Sequence, residues 1–470
     1  MTTSGRVLGF FRDPLRTLLV LGGLTGLFVA LVVPHFGGID ETAHFYRSYQ
    51  LSTGTLLPEK PHGSSFSGAC VPVDVVLAVD RDALDYFRHV VTLQGKTAGA
   101  AQPPTAADVA RCPGDRSQGF VTFSTFGSPV PYLPQATAIL VARKAGAGVD
   151  GMLVAARLAL LATFLALVAV AVRRTPRGKW AFATVGLVPV ALFQASASLS
   201  HDAVTLAVSL VVVSSALRAL DPPEGTTTRA LVIEAFLLSG LLALCKPGYV
   251  IVAFAYLLPL LARGARVRRR ARWPLALAPV VAVGVTVVWN AIVGGLWKTD
   301  AAYFGVKVDP TRQQHLLLTQ PWKFAWAAVA TTFDSAWEWV RTYTSVGPSV
   351  THWPSIVGLV ASLVLLLVAL QAIREPARLV GKQRVLLLVL LVFVVLLTLG
   401  AQYVYWSAPG ANRVGGMQAR FFLPGLVLLP LAVGPIRARW ADSDRATTPL
   451  AMLLVPVLVL FCASLALRMH

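Results

Sequence analysis

Long apolar runs recur along the whole chain, and they constrain its fold more than any other feature. A run of about 20 apolar residues can cross the hydrocarbon core of a bilayer as a helix. Hydrophobic residues make up 56% of the 470 residues and charged residues only 13%, whereas soluble domains are about 25% charged. The composition therefore excludes a soluble globule and predicts an all-α polytopic membrane protein.

The runs predict about eleven transmembrane helices in a single integral membrane module, residues 1–470. Residues 230–262 form one apolar stretch, which we divide at the Lys-Pro-Gly sequence of 246–248 because proline and glycine stop helices. The first run is longer than the core of a cleaved signal peptide, so we expect a retained helix. The predicted spans lie at roughly 18–36, 151–172, 180–198, 203–220, 230–246, 249–262, 274–294, 354–373, 385–401, 421–436 and 448–467.

Basic residues are concentrated in short segments between these spans. The net charge is +19, and arginine and lysine gather at the N-terminus and at 173–179, 263–272 and 374–384. This distribution is typical of cytoplasmic loops, so it predicts a multi-pass plasma-membrane protein with a cytoplasmic N-terminus. A nucleic-acid surface would interleave stacking aromatics with the charge. These loops hold almost none, so we expect no nucleic-acid partner.

Two long segments, residues 37–150 and 295–353, then fall on the extracytoplasmic side. The stretch at 131–146 is too short to span a bilayer, and the stretch at 313–343 mixes tryptophans with charged residues. Both patterns are typical of helices that lie along a membrane surface. The sequence therefore predicts an interfacial helix in each long loop.

The four cysteines divide between these environments. Cys70 and Cys112 both lie in the first long segment, where oxidation is permitted. We expect a disulfide between them, and the alternative is two free thiols. Cys245 and Cys462 lie in or beside spans and are interpreted as small packing residues.

The stretch directly after the first span carries the strongest chemical signal. Helical spacing places Asp40, His44 and Arg47 on one face, and Glu41 adjoins Asp40. Adjacent carboxylates at a membrane edge are costly unless they are used, and a poised carboxylate can act as a general base toward a hydroxyl. The alternative is that Asp40 caps a helix and Glu41 favours its dipole.

Four pieces of the chain, in order and covering nearly its whole length, resemble a bacterial family of multi-span membrane proteins, domain of unknown function 2142. The family usually has Gly-Arg-Tyr in the last piece, where this chain keeps the arginine but loses a glycine and a hydroxyl. The four pieces are the string at 40–54 that begins Asp-Glu-Thr-Ala-His, Ser200-His201-Asp202-Ala203, Lys246-Pro247-Gly248-Tyr249 and Gln418-Ala419-Arg420-Phe421-Phe422-Leu423-Pro424.

That family resembles the membrane glycosyltransferases of the GT-C fold. Those enzymes carry an acidic pair in the first outer loop, and they move a sugar from a polyprenyl-phosphate carrier to an acceptor, with inversion. The resemblance implies a GT-C-like fold. It also implies two partners, a sugar donor linked to a polyprenyl phosphate in the membrane and a glycan or lipid acceptor. It also implies Asp40 as general base and Glu41 as its helper or acceptor-positioning partner, an analogy at the level of the fold.

A lipid phosphate as leaving group requires positive charge at the outer membrane edge. Lys246, Arg413 and Arg420 are the few basic residues beside the outer ends of late spans. A guanidinium binds phosphate bidentately. Arg420 is the strongest candidate, because it precedes an apolar run within the motif that Gln418 opens. The alternative for each cation is snorkelling to the interface.

Other polar residues are expected to line the same cleft. His201 and Asp202 lie between two spans and are candidates for orienting substrate hydroxyls, although Ser200 or Asp202 capping a helix is the alternative. Tyr132 and Gln135 are also candidates for the cleft. The alternative for Tyr132 is an anchor at the membrane interface.

The motifs that are absent narrow the function further. No Gly-x-x-x-x-Gly-Lys-Ser/Thr loop is present, so ATP-driven transport is not expected. No zinc-type spacing occurs, and no metal is assigned, although a divalent ion on Asp40 and Glu41 stays open. The alternative functions are a flippase for a lipid-linked sugar and a non-catalytic partner in envelope assembly. Polar groups gather at one face rather than in mid-membrane, which favours surface chemistry over transport.

Overall fold

The protein is mainly helical, as its composition predicts. The computed structural model describes residues 11–59, 67–93, 105–122, 127–262, 269–294, 301–303, 306–343, 355–371, 379–433 and 452–469. The α-helices are α1 (Pro14–Val32), α2 (Glu41–Ser52), α3 (Val73–Leu93), α4 (Leu133–Lys144), α5 (Val149–Arg174), α6 (Lys179–Gly186), α7 (Pro189–Ala197), α8 (His201–Leu220), α9 (Thr228–Cys245), α10 (Arg269–Ala276), α11 (Ala278–Val293), α12 (Pro310–Thr319), α13 (Pro321–Thr342), α14 (Ser355–Gln371), α15 (Gly381–Trp406), α16 (Leu423–Leu426), α17 (Leu428–Val433) and α18 (Leu454–Met469).

Within the described ranges, three 3₁₀ helices interrupt this series: η1 (Val130–Tyr132), η2 (Pro247–Leu261) and η3 (Ala419–Phe422). η2 follows α9 at the predicted break, where Lys246 is extended. Proline removes a backbone donor and ends regular helical hydrogen bonding. Prolines accordingly begin η2 and lie within the late apolar segment that is divided between α16 and α17.

The chain is a multi-pass membrane protein. Within the described residues, six helices are long and apolar enough to span a bilayer, and the pair α6 and α7, bent by 54°, makes up to seven. The predicted count of eleven is therefore not confirmed, because several predicted spans form shorter or broken apolar helices. The six are α1, α5, α8, α9, Arg272–Val293 and α15.

The bundle is organised around α8. In α8, 89% of the apolar window is buried inside the protein, against 22% in α15. A helix that is apolar all round and surrounded by protein lies in the core of a bundle. The residue that begins α8 therefore lies at the centre of one end of the bundle, which we call the site end.

A small sheet stands beside the site end, within the first long segment. Strands β1 (Gly68–Pro72), β2 (Arg111–Cys112) and β3 (Asp115–Thr122) pair antiparallel in the order β1-β3-β2. The structure joins Cys70 and Cys112 of the two outer strands in a disulfide with a Cα–Cα distance of 5.9 Å. The sequence analysis did not predict these strands. A hairpin of β4 (Ala301–Tyr303) and β5 (Val306–Val308) lies in the second long segment.

Helices form at the two stretches that the sequence predicts as interfacial. α4 covers most of 131–146, and α12 and α13 occupy the predicted stretch at 313–343. α4 packs against both α2 and α5. Its buried face, with Gln135, Ala136 and Ile139, helps to close the site end.

Candidate functional site

The turn between α1 and α2 presents Asp40 at the site end. Asp40 has a left-handed backbone with φ of 56°, a conformation that aspartate tolerates better than most residues. Its carboxylate makes no capping hydrogen bond to α2. The Gly38 N–H donates instead to Glu41 Oε2 (3.1 Å). The Asp40 side chain is therefore free for other partners and is 58% exposed.

The neighbouring Glu41 lies in a closed, buried ion pair with Arg157 of α5. Arg157 donates from Nε and Nη2 to the two Glu41 oxygens, both at 2.7 Å. Its remaining N–H groups donate to carbonyl oxygens at the end of α1: Ala30 (3.0 Å), Val33 (2.7 Å) and Pro34 (2.9 Å). All five guanidinium donors are thus satisfied, so the pair fixes the turn that carries Asp40.

Sequence reasoning missed Arg157 as part of this site. It belongs to none of the sequence motifs singled out above. An arginine inside an apolar helix is expensive in a bilayer and is usually paired or functional, and that signal was available. Its partner was not evident, because Glu41 lies on a different element more than a hundred residues earlier.

Arg420 meets Asp40 from the far end of the chain. The short helix η3 places Arg420 so that Nη2 donates to Asp40 Oδ2 (2.9 Å). The Arg420 side chain is only 6% exposed, and its Nε and Nη1 atoms are buried without a hydrogen-bond partner. Nε also lies 3.8 Å from Asp202 Oδ2, close enough for charge attraction but not for a hydrogen bond.

Asp202 and Lys246 complete a group of four charged residues. Ser200 caps α8 by accepting from the Asp202 N–H (3.1 Å), which leaves the Asp202 carboxylate available. Lys246 Nζ donates to Asp202 Oδ1 (2.7 Å). We call Asp40, Asp202, Lys246 and Arg420 the charge cluster. Its formal charges cancel, with two carboxylates and two cations.

Close backbone packing holds the two carboxylate-bearing turns together. A Cβ atom built on Gly38 would lie 1.5 Å from the Ala197 carbonyl oxygen, so a side chain at this position cannot be accommodated without a backbone shift. Only glycine allows this approach. The turn before Asp40 therefore rests on the end of α7, just ahead of the turn that leads to Asp202.

An aromatic ring lies under the two cations. The Phe421 ring centroid is 4.9 Å from Lys246 Nζ and 5.3 Å from Arg420 Cζ, within the range of cation–π attraction. The Tyr249 hydroxyl donates to the Phe421 carbonyl (2.7 Å). The phenylalanine at the position where the family usually has tyrosine thus offers a ring face to the cations.

A hydrogen-bonded row of three aromatic side chains borders the charge cluster. The Tyr132 hydroxyl lies 2.9 Å from Nδ1 of His44 and 2.9 Å from Nδ1 of His201. Tyr132 is fully buried, so it does not act as an anchor at the membrane interface. Burial lowers the pKa of His44 to about 4, against the opposing attraction of the nearby carboxylates.

Two further candidates, Arg47 and Gln135, contribute to the framework around the site. Arg47 is buried and donates to Gln50 Oε1 (2.5 Å) and to the Leu56 carbonyl (2.8 Å), and burial lowers its pKa to about 10. Gln135 is also buried and donates to the Leu199 carbonyl (3.2 Å). These contacts hold loops in place, and the structure does not show Arg47 in the charge cluster.

The remaining candidates lie differently. The Gln418 carbonyl accepts from the Phe421 N–H (3.1 Å) and begins η3, so its backbone positions Arg420. Arg413 forms an exposed ion pair with Asp334. The structure thus places Arg413 with a partner of its own, outside the charge cluster.

One group of three residues has the geometry to share a metal ion. The donor atoms of His35, Asp82 and Asp150 lie within 4.8 Å of one another. Among the described residues this is the one such group, and it includes neither Asp40 nor Glu41. Both oxygens of Glu41 accept hydrogen bonds from Arg157. Asp40 and Glu41 therefore do not fit a shared divalent ion, the alternative considered from the sequence.

A protein-family model matches most of the chain. The model of the family described as "Predicted membrane protein (DUF2142)" matches residues 23–429. The chain belongs to this family. The matched range of this DUF2142 member contains the whole charge cluster and Arg157.

Among solved structures, this DUF2142 member is similar to the crystal structure of ArnT from Cupriavidus metallidurans bound to undecaprenyl phosphate. The two are 16% identical with a TM-score of 0.39, and the match covers 96% of this chain and 76% of that chain. No curated protein matches the chain.

Proposed function

We propose that this protein is a membrane glycosyltransferase that moves a sugar from a polyprenyl-phosphate donor to a glycan or lipid acceptor. The guanidinium of Arg420 is the observation that carries the proposal. It donates to Asp40 while Nε and Nη1 are buried without acceptors. A buried donor without a partner costs free energy, and a phosphate oxygen is an acceptor of the right charge.

The surroundings of Arg420 favour a phosphate that belongs to a lipid. Lys246 adds a second positive charge, and the apolar helices α9 and η2 begin or end beside it. A lipid phosphate at the membrane edge keeps its chain among apolar helices while its headgroup reaches the charge cluster. The distribution of basic residues supports the extracytoplasmic face for this end.

The reaction then assigns roles to three of the four charged groups. Asp40 accepts the proton of the acceptor hydroxyl as that oxygen bonds to the anomeric carbon. The bond from the anomeric carbon to the phosphate oxygen breaks, and its electron pair leaves with the lipid phosphate. Arg420 and Lys246 stabilise the developing charge there. Attack opposite the leaving group inverts the anomeric centre.

Binding of the donor also prepares the base. The Asp40 carboxylate forms an ion pair with Arg420. A phosphate that attracts the guanidinium weakens this ion pair and exposes the carboxylate to the acceptor. The donor therefore binds before the acceptor is deprotonated. Glu41 acts as a positioning residue, because its oxygens are held by Arg157.

Binding of undecaprenyl phosphate to the purified protein in detergent tests the anion site. We expect Arg420→Ala and Lys246→Ala each to weaken binding about tenfold or more, since a hydrogen bond to a charged group contributes about 1.5–3 kcal/mol. Arg413→Ala is the matched control and leaves binding unchanged. Equal affinity in all four proteins would show that the lipid phosphate does not use the charge cluster.

The Asp40→Asn variant separates catalysis from binding. Asparagine tolerates the left-handed backbone of this position but cannot act as a base. We expect undecaprenyl phosphate to bind still, while the cell-envelope glycan made by the host falls about 10²–10⁴-fold, the usual contribution of a general base. Normal glycan from a correctly inserted variant would favour a flippase or a non-catalytic partner instead.

A further inference from the structure

The row of His44, Tyr132 and His201 links three separate elements at the site end. His44 lies on α2, Tyr132 ends η1 and His201 begins α8. Both histidines approach the same hydroxyl through Nδ1, at 2.9 Å each. The His44 and His201 rings are themselves 5.5 Å apart at a steep angle of 66°. The three side chains therefore form one unit with a shared hydroxyl at its centre.

The Tyr132 hydroxyl has one proton and two lone pairs, so it can donate to one Nδ1 and accept from the other. This arrangement requires a lone pair on Nδ1 of one histidine and a proton on Nδ1 of the other. A neutral imidazole carries its proton on one nitrogen and a lone pair on the other. With both imidazoles neutral, one histidine is therefore protonated on Nδ1 and the other on Nε2.

The position of Asp202 indicates which ring nitrogen of each histidine carries the proton. His201 Nε2 lies 3.6 Å from Asp202 Oδ1, and an ionised carboxylate can accept but not donate. The proton of His201 is therefore favoured on Nε2, facing the carboxylate, and its Nδ1 accepts from Tyr132. The Tyr132 oxygen then accepts from Nδ1–H of His44, which leaves the lone pair of His44 on Nε2.

We propose that Tyr132 is a positioning residue that fixes both tautomers and keeps Nε2 of His44 as a hydrogen-bond acceptor for a hydroxyl of the sugar substrate. The identity of that substrate rests on the proposed function. The location supports the role, because His44 lies one helical turn after Asp40, with its backbone N–H donating to the Asp40 carbonyl (3.1 Å). A neutral acceptor beside a carboxylate base suits a substrate with adjacent hydroxyl groups, one deprotonated and one held.

Nitrogen-15 NMR of the histidine-labelled protein tests the tautomers without any substrate. We expect the wild type at neutral pH to show His44 protonated on Nδ1 and His201 protonated on Nε2, each as one tautomer. Assignment comes from the loss of a signal in His44→Gln and His201→Gln. Wild-type protein with His44 protonated on Nε2 overturns the proposal, and this measurement needs no variant to be active.

Removal of the hydroxyl tests the positioning role. Tyr132→Phe keeps the ring but removes both hydrogen bonds, so we expect His44 and His201 to become mixtures of tautomers. The matched control is Tyr46→Phe, which removes another buried hydroxyl of the same region, bound to Asp80 (3.0 Å), and leaves both tautomers unchanged. Unchanged tautomers in Tyr132→Phe overturn the positioning role.

The functional consequence is measured in the same variants. We expect Tyr132→Phe to lower the envelope glycan about tenfold, the loss of one hydrogen bond of about 1.4 kcal/mol, with undecaprenyl phosphate binding unchanged. Glycan output equal to that of Tyr46→Phe overturns the substrate contact. If Asp40→Asn also makes normal glycan, the proposed glycosyl transfer itself fails, whereas the tautomer assignment is judged by NMR alone.

Discussion

Asp40 and Glu41 are adjacent carboxylates at the same membrane edge, and the protein treats them in opposite ways. Glu41 is buried against Arg157, whose five donors all have acceptors. Asp40 is half-exposed and meets Arg420, whose Nε and Nη1 have none. A complete set of hydrogen bonds stabilises structure, whereas an incomplete buried set is ready for a ligand. The difference supports our proposal that Glu41 is structural and that Asp40 is the general base.

The same contrast extends to the surroundings of each pair. The Glu41 pair draws its other partners from the backbone at the end of α1, so it joins two spans and a turn. The Asp40 pair is surrounded by side chains that titrate or donate, namely His44, Asp202 and Lys246. Four predictions test this difference between the two ion pairs.

Breaking the buried ion pair of Glu41 and Arg157 has the largest expected effect on stability. Glu41→Gln removes the charge that pairs with buried Arg157, and we expect the free energy of unfolding to fall by about 3–5 kcal/mol. Denaturant unfolding in detergent measures it. Arg157→Lys, which cannot make all five contacts, should also destabilise the protein. Stability equal to the wild type in both variants would refute the closed pair.

Acidification should lower the free energy of unfolding through His44. Its folded pKa is about 4 and its ordinary value is 6.5, so the unfolded chain takes up the proton first as pH falls. The stability that neutral His44 confers is fully present above pH 6.5 and is lost towards pH 4, a difference of about 3 kcal/mol. Unfolding across this range measures the slope. His44→Gln should reduce the slope without abolishing it, because the unfolded chain also takes up a proton at His201, the second histidine bound to Tyr132. An unchanged slope contradicts the assignment.

Separating the turn before Asp40 from the end of α7 should lower stability and weaken lipid binding together. Gly38→Ala places a methyl group on the Ala197 carbonyl, and we expect the backbone to shift at a cost of about 1–3 kcal/mol. The shift moves Asp40 relative to Asp202, so undecaprenyl phosphate binding should weaken too. The matched control is Gly23→Ala, since a Cβ atom there meets nothing within 4 Å. Equal behaviour of the two variants would contradict the close approach.

The smallest effect is expected at the exposed pair of Arg413 and Asp334. Both side chains are about half-exposed, and such pairs contribute roughly 0–1 kcal/mol. Arg413→Ala should therefore leave unfolding and lipid binding close to the wild type. A loss as large as that of Glu41→Gln would mean that burial does not distinguish these ion pairs.

The sequence predicts the helical, multi-pass class well, because apolar runs report directly on bilayer crossing. It does not fix the number of spans, since a proline-broken segment such as η2 is apolar enough to be counted but lacks regular α-helical geometry. The strand that holds Cys112 was missed because it has only two residues and its register shifts between Arg111 and Cys112.

The candidate site was predicted in part. The motifs single out Asp40, Asp202, Lys246 and Arg420, which the structure brings together. Arg157 was not connected with Glu41, and Arg413 was grouped with the cluster although it pairs elsewhere. Local patterns identify reactive residue types, whereas long-range pairing depends on how helices pack, which a single sequence does not contain.

An experimental structure with undecaprenyl phosphate bound would test directly whether Arg420 binds the lipid phosphate beside Asp40. The account predicts a phosphate oxygen within hydrogen-bonding distance of Arg420, with Lys246 nearby and the Asp40 carboxylate facing the same cavity. A phosphate bound away from Arg420, or an Asp40 sealed off from it, would contradict the account.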